Sequence, residues 1–358
     1  MRKRLLIGLA FIAVIVASYP VWKPFAKRNK WFVIASNVGL DSLRRFGFVS
    51  EQIGQNGVIS LPESQIPAEL KKIQDIYGQY LHYSGWSPTA VAGKRVLELG
   101  PGFTIGVPLM FAADGASFVA GLDKFVRLQD GPFFIALYTR MREALSNEQK
   151  AAFDRTIRLQ PKLSLNPQFA TYIDHKELTD SLQQLGPGSF DMIVSNAVIE
   201  EIYDPTPVFY AQGELLRPGG VMVHRVDLRD YGMFSKYGFH ALEFLTVPDW
   251  IYRRMVEGSG QPNRRLIDYY REVGARMGYE TEIYATKVLG SETDLPEPRR
   301  ELRPGIDYSE EQLKMIAEIR PRLLERYRKL SDADLVVQSI VFVARKPVNL
   351  KTAVALVP

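Results

Sequence analysis

The chain has 358 residues, 46% of them hydrophobic and 24% charged, an ordinary globular composition that suits one enlarged α/β domain with appendages as well as two domains. Its formal net charge of +5 is mild and carries no long run of like charges, so no nucleic-acid partner is expected. The absence of cysteine excludes disulfides, thiolate metal sites and cysteine nucleophiles, and His82, His175, His224 and His240 lack metal-ligand spacing, so no metal is expected.

In chain order, the first feature is the uncharged stretch 5–22, which follows Arg2-Lys3-Arg4 and has 18 residues, the lower end of the length that spans a hydrocarbon core. It reads as a single membrane anchor; a cleavable signal peptide, with small residues at Val16-Ala17-Ser18, is the alternative. Lys23, Lys27, Arg28 and Lys30 follow directly and suit anionic headgroups, where each contributes about 1 kcal/mol. Between 62 and 83, Ile66, Leu70, Ile73, Tyr77 and Leu81 recur at steps of three or four, which predicts a helix.

The stretch Val96-Leu97-Glu98-Leu99-Gly100-Pro101-Gly102, with Gly106 and then Gly121-Leu122-Asp123, reads as a strand, a tight glycine turn, a helix and a second strand ending in an acid. Gly100 and Gly102 permit the turn and leave room for a ligand against the main chain. The helix predicted to begin near Thr104 or Ile105 aims its unpaired N–H groups at that turn, and Asp123 suits a ribose diol. A dinucleotide fingerprint would need glycine at 105, where the chain has Ile105. Glu98 is poorly matched to a pyrophosphate and well matched to an ammonium such as that of S-adenosylmethionine, which carries no phosphate. A strand-to-helix turn with no ligand is the structural alternative.

Further strands are expected at 191–195 and 221–226, with a helical insertion near 133–158. Beyond Asp227 the chain is rich in aromatics and arginines (Tyr231, Phe234, Tyr237, Phe239, Phe244, Trp250, Tyr252; Arg253, Arg254, Arg264, Arg265), which either line a substrate pocket or are core and solvated helix face. Residues 279–287 and 335–344 are β-like and are expected to pair as a final hairpin.

Three motifs in order resemble the class I S-adenosylmethionine-dependent methyltransferases: Val96 through Gly102 with Asp123; Phe190-Asp191-Met192-Ile193-Val194-Ser195-Asn196 running into Ala197-Val198-Ile199-Glu200-Glu201; and Leu215-Leu216-Arg217-Pro218-Gly219-Gly220-Val221-Met222-Val223. The resemblance spans roughly 62–346. It implies a Rossmann-like α/β fold with a seven-stranded, mostly parallel sheet, helices on both faces, helical insertions and a reversed last strand at 335–344, to which the N-terminal segment adds a transmembrane helix. It implies S-adenosyl-L-methionine as cofactor, contacted by the Gly100-Pro101-Gly102 turn, with Glu98 near the ammonium, Asp123 on the ribose, Asn196 beside the methionine part and Asp174 toward the adenine amino group. Departures are Pro101, the wide gap from Gly102 to Gly106, and Glu200-Glu201 where many members have Glu-His, which removes a possible general base.

Asp227, Arg229 and Asp230, just past the fifth strand, and His240 are the catalytic candidates, while His224 inside that strand reads as structural. Arg229, Arg253, Arg264 or Arg265 could clamp an acidic acceptor. The expected division is an anchor and basic flank at 1–30, a linker and helical cap at 31–94, and a methyltransferase domain at 95–346. That domain holds an insertion at about 124–170 and a substrate-side region at about 229–275, and a tail follows at 347–358. The expectation is a membrane-anchored enzyme acting from the cytoplasmic face on an oxygen or nitrogen of a small-molecule, lipid-linked or glycan-precursor acceptor. A nicotinamide-dependent oxidoreductase or epimerase and a non-catalytic membrane-tethered scaffold are the alternatives.

Overall fold

The computed structural model describes residues 29–45, 61–258 and 260–349. The expected anchor at 5–22 lies outside the described residues. No helix among the described residues is long and apolar enough to cross a membrane.

A seven-stranded sheet forms the centre. Its strands are β1 (Arg95–Leu99), β2 (Phe118–Asp123), β3 (Ala170–Asp174), β4 (Phe190–Asn196), β5 (Leu216–Asp227), β6 (Glu280–Val288) and β7 (Val337–Arg345). The order across the sheet is β3-β2-β1-β4-β5-β7-β6. The β3–β2, β2–β1, β1–β4 and β4–β5 pairs are parallel, and β7 runs antiparallel to both β5 and β6. The strand expected before the glycine turn and the one expected to end in Asp123 form as Arg95–Leu99 and Phe118–Asp123, because each is a short apolar run stopped by polar or glycine residues. Val337–Arg345 is the reversed strand, but it starts two residues later than expected because Asp332–Val336 closes a short helix first. It pairs with β6 as expected, although residues 289–336 intervene, so the pair is not a tight hairpin.

Alternation along the strands buries both sheet faces, as parallel sheets require. On one face Val96, Val119, Met192 and Val194 pack against α2 (Ile66–Ser84), α3 (Gly106–Ala113), α4 (Pro132–Glu143) and α5 (Asn147–Thr156). On the other, Leu97, Leu99, Ile193 and Met222 pack against α6 (Thr206–Leu215), α7 (Asp249–Val256) and α8 (Ile267–Met277). The helix α1 (Lys30–Arg45) joins this second layer through Val33 and Ile34. The helical insertion resolves into α4 and α5, followed by a two-stranded ribbon of Ile157–Arg158 with Ser164–Leu165. The chain winds outward from β1 through β2 to β3, then crosses back to β4 on the other side of β1. Ligands of open α/β sheets bind at that reversal, over the carboxyl ends of the strands.

Candidate active site

Glu98 is carried on the α2 face of β1 because it shares that face with Val96 two residues earlier. The residue is 5% exposed, and the Tyr80 hydroxyl of α2 donates to its carboxyl at 3.5 Å. Among the described residues no lysine or arginine forms an ion pair with it. Burial pushes Glu98 up to about 8, against the lowering effects of the Tyr80 bond and of the Lys72 charge; Asp123 adds to the rise. A buried acid without a cation is a receptor for a cationic ligand.

The turn after β1 is left-handed at Gly100 (φ 63°) and Gly102 (φ 71°). A Cβ at Gly100 would lie 2.3 Å from Val198 Cγ2, whereas one at Gly102 would meet nothing within 4 Å, so space opens above the second glycine. Asp123 holds this turn in place: Oδ2 accepts the Gly102 N–H at 3.1 Å, and Oδ1 accepts the N–H groups of Phe125 and Val126 at 2.8 Å each. A carboxylate has about four acceptor positions, so little capacity is left for the ribose role given to Asp123 by the sequence. The expected free helix N-terminus is also partly spent. The Ile105 N–H donates to the Tyr138 hydroxyl at 3.0 Å and the Gly106 N–H to Thr104 Oγ1 at 3.1 Å, and the helix starts at Gly106. Tyr172 of β3 adds a hydroxyl 2.6 Å from the Gly102 carbonyl oxygen. Tyr80, Tyr138 and Tyr172 were not legible in the sequence, because each reaches the turn from a distant element.

On the other side of β1, Asn196 ends β4 two residues beyond Val194, the register partner of Glu98, so both side chains stand on one sheet face. Asn196 lines a pocket of about 150 Å³ together with Ala197, Arg225, Asp227, Arg229, Lys287, Asp294 and Ser339. Arg229 grips Asp227 through Nε and Nη2, while Arg225 and Lys287 share the Asp294 carboxylate at 2.6 and 3.7 Å. Glu200 is 1% exposed; its Oε1 accepts the Asp227 N–H at 2.9 Å and the Tyr231 hydroxyl at 3.0 Å, and its Oε2 has no partner among the described residues. Burial pushes Glu200 up to about 8. Glu201 rises to about 7, chiefly through burial and further through the charge of Asp123. His175, Ala197 and Tyr231, all non-glycine with positive φ, lie just past β3, β4 and β5, so backbone strain collects at this edge.

The catalytic candidates separate. Asp227 and Arg229 line the pocket. Asp230 does not serve it: 2% exposed, it accepts the N–H groups of Gly232, Phe234 and Ser235 and the Ser235 hydroxyl, and so ties its own loop. His240 lies with Glu243, Met315 and Arg322 and accepts the Leu242 N–H at 3.0 Å, apart from the acids of the cleft. His224 is structural, as expected, buried against Ser195 Oγ at 2.8 Å and driven down to about 3 by burial, hence neutral. Arg264 is buried, stacks 4.0 Å from the Tyr252 ring and donates to the Phe244 carbonyl, so it fastens the fold and cannot clamp an acceptor. Arg253 and Arg265 pair with Glu257 and Asp204. Asp174 is exposed on the rim of a separate groove of about 610 Å³ with Arg127, Asp130 and Lys162. Phe234, Phe244 and Tyr252 are core, while Trp250 is 73% exposed.

The methyltransferase domain family matches residues 71–273, more than half of the chain. The chain belongs to this family. It is an S-adenosylmethionine-dependent methyltransferase. No curated protein matches it. Among solved structures it is similar to a putative S-adenosylmethionine-dependent methyltransferase from Listeria monocytogenes, at 15% identity over 80% of this chain and 99% of that one, TM-score 0.38. It is also similar to the phosphoethanolamine N-methyltransferase 2 of Haemonchus contortus, at 16% identity over 77% and 52%, TM-score 0.39. A third is the CurJ carbon methyltransferase, of which it spans about half, at 14% identity over 72% and 49%, TM-score 0.34. The methyltransferase's turn fits the methyl donor on two counts: open space above Gly102, and at Glu98 a buried acid with no described cation, matched to the donor's ammonium.

Proposed function

We propose that the methyltransferase acts on an oxygen or nitrogen of a small-molecule, lipid-linked or glycan-precursor acceptor seated in the pocket of Asn196, Asp227, Arg229 and Lys287. The observation that carries this reading is that the pocket begins at Asn196, on the same sheet face and edge as Glu98. When bound, S-adenosylmethionine supplies an activated methyl at its sulfonium. The chain's own work is to align the acceptor and, where the acceptor is protonated, to take its proton. Glu201 is our candidate for the proton transfer, because it follows Glu200, whose carboxylate holds the Asp227 N–H at the pocket, and because burial holds it at about 7. Glu201→Gln is expected to lower kcat about 100-fold with adenosylhomocysteine affinity nearly unchanged. An unchanged kcat would remove Glu201 from the reaction. The acceptor class is tested by transfer of labelled methyl into fractionated water-soluble and lipid extracts; label in neither, with donor binding intact, overturns it.

The same reading places residues 5–22 as a bilayer anchor with the catalytic domain on the cytoplasmic side, where adenosyl donors are made. The support is the uncharged stretch and its basic flanks. Protease added outside intact cells is expected to leave the domain whole, and digestion there would overturn the orientation.

A further inference from the structure

Helices α1 and α7 lie side by side and run in the same direction. Lys30, at the start of α1, pairs with Glu243 at 2.9 Å just before α7, and Asp41 near the end of α1 accepts the Gly258 N–H at 2.9 Å just after it. Their amino ends therefore coincide, and each exposes a tryptophan there, Trp31 at 63% and Trp250 at 73%. The outward residues of α1, Trp31, Ala35, Ser36, Gly39 and Leu40, include no charge. On α7 the outward residues are Asp249, whose carboxylate is taken up by Arg264 and Arg326, and Trp250, Arg253 and Arg254, at the helical step of three and four.

Three observations name what covers this face. Tryptophan beside arginine, with one end apolar and the other wet, is the composition of a bilayer interface. The cations there, Lys30, Arg253, Arg254, Arg322 and Arg326, outnumber the acids Glu243, Asp249 and Glu257. The uncharged stretch 5–22 leads through Lys23, Lys27 and Arg28 into α1, and the nine steps from Trp22 to Trp31 can extend at most about 30 Å. A tether that short keeps the face at high effective concentration near any bilayer that holds the stretch. The face also adjoins the site: Arg253 lies 5.7 Å from the Tyr203 ring, two residues beyond Glu201, and the Asn263 N–H donates to the Glu200 carbonyl at 2.6 Å.

We propose that the outer face of α1 and α7 docks on an anionic bilayer, with Trp31 and Trp250 among the headgroups, and presents the acceptor cleft to a methyl acceptor carried by a lipid. The acceptor half of this statement rests on the proposed function, and the docking half shares with it only the anchor at 5–22.

The test reconstitutes the full chain into phosphatidylcholine–phosphatidylglycerol vesicles with plain or brominated acyl chains. A variant carrying Trp22→Phe, Trp31→Phe and Trp86→Phe leaves Trp250, far in sequence from the stretch 5–22, as the only emitter. Brominated lipid is expected to quench its emission at least about twofold, and adding Arg253→Glu and Arg254→Glu should abolish most of that. Should the triple variant not fold, the quenched fraction lost in Trp250→Phe alone gives the same answer. A variant retaining only Trp86, on the amino-end side of the sheet, should stay unquenched. Unquenched Trp250, quenched Trp86, or a blue shift of Trp250 that follows protein concentration without vesicles and so indicates a second copy would each overturn docking. Labelled methyl entering a water-soluble fraction while Trp250 remains quenched overturns the lipid acceptor and leaves the docking standing.

Discussion

Glu98→Gln is expected to weaken adenosylhomocysteine binding about 100-fold at pH 8.5, because a charge-assisted contact to the ligand ammonium is replaced by a neutral one in a buried site. The pH dependence identifies the cause. In the free protein burial holds Glu98 at about 8, so below that pH the carboxyl is neutral and a cationic ligand must expel its proton. Affinity in the wild-type protein should therefore rise up to about tenfold per pH unit between 6 and 8 and then level off, and the glutamine variant should lose that slope. Calorimetric titration across this range measures both. A wild-type affinity that does not change between pH 6 and 8 would remove Glu98 from the ammonium. Stability runs the opposite way. Glu98 and Glu200 are both held above their unfolded values, so what they contribute is complete below about 4.5 and is lost as pH rises through about 8. The ligand-free enzyme should accordingly melt lower at pH 9 than at pH 6, and adenosylhomocysteine should narrow the difference.

Gly100→Ala is expected to cost about 2–4 kcal/mol of stability. About 1 kcal/mol of this comes from forcing an L side chain into a left-handed backbone, and the remainder from a methyl set against Val198. The contact is severe, since the added Cβ would lie 2.3 Å from Val198 Cγ2 and the backbone stands at φ 63°. Val198→Ala in the same chain should recover the steric part and leave the backbone part, a coupling that urea unfolding of the two single variants and the double variant reads directly. Additive losses would show that Val198 does not pack on the turn. Gly102→Ala meets no such wall, so its stability loss should be confined to the backbone term while donor binding suffers.

Most of the sheet is legible in the periodicity of the chain. Arg95–Leu99 and Phe118–Asp123 are apolar runs with clear stops, and the order of three motifs around Gly100, Asn196 and Gly219 names a family whose topology the strands adopt. Glu98 stands out because a lone acid inside an apolar strand is conspicuous. Asp230 and His240 are singled out by residue type and place alone. What they do depends on loop geometry: the N–H groups of Gly232, Phe234 and Ser235 close around Asp230, and His240 folds toward Met315.

The amino-acid sequence by itself determined the α/β alternation, the glycine turn and the acid at its strand end, since these follow from local periodicity and from conformations only glycine adopts freely. The tertiary structure alone decided that Tyr80 meets Glu98, that Asp123 spends itself on three N–H groups, that Glu200 holds the Asp227 N–H, and that Lys287 and Asp294 join Asn196 in one pocket. The physical reason is separation along the chain. Hydrogen bonds and charge fields act over a few ångströms in space, and the crossover that returns the chain from β3 to β4, with the antiparallel pairing of β6 and β7, brings together side chains that no local pattern connects.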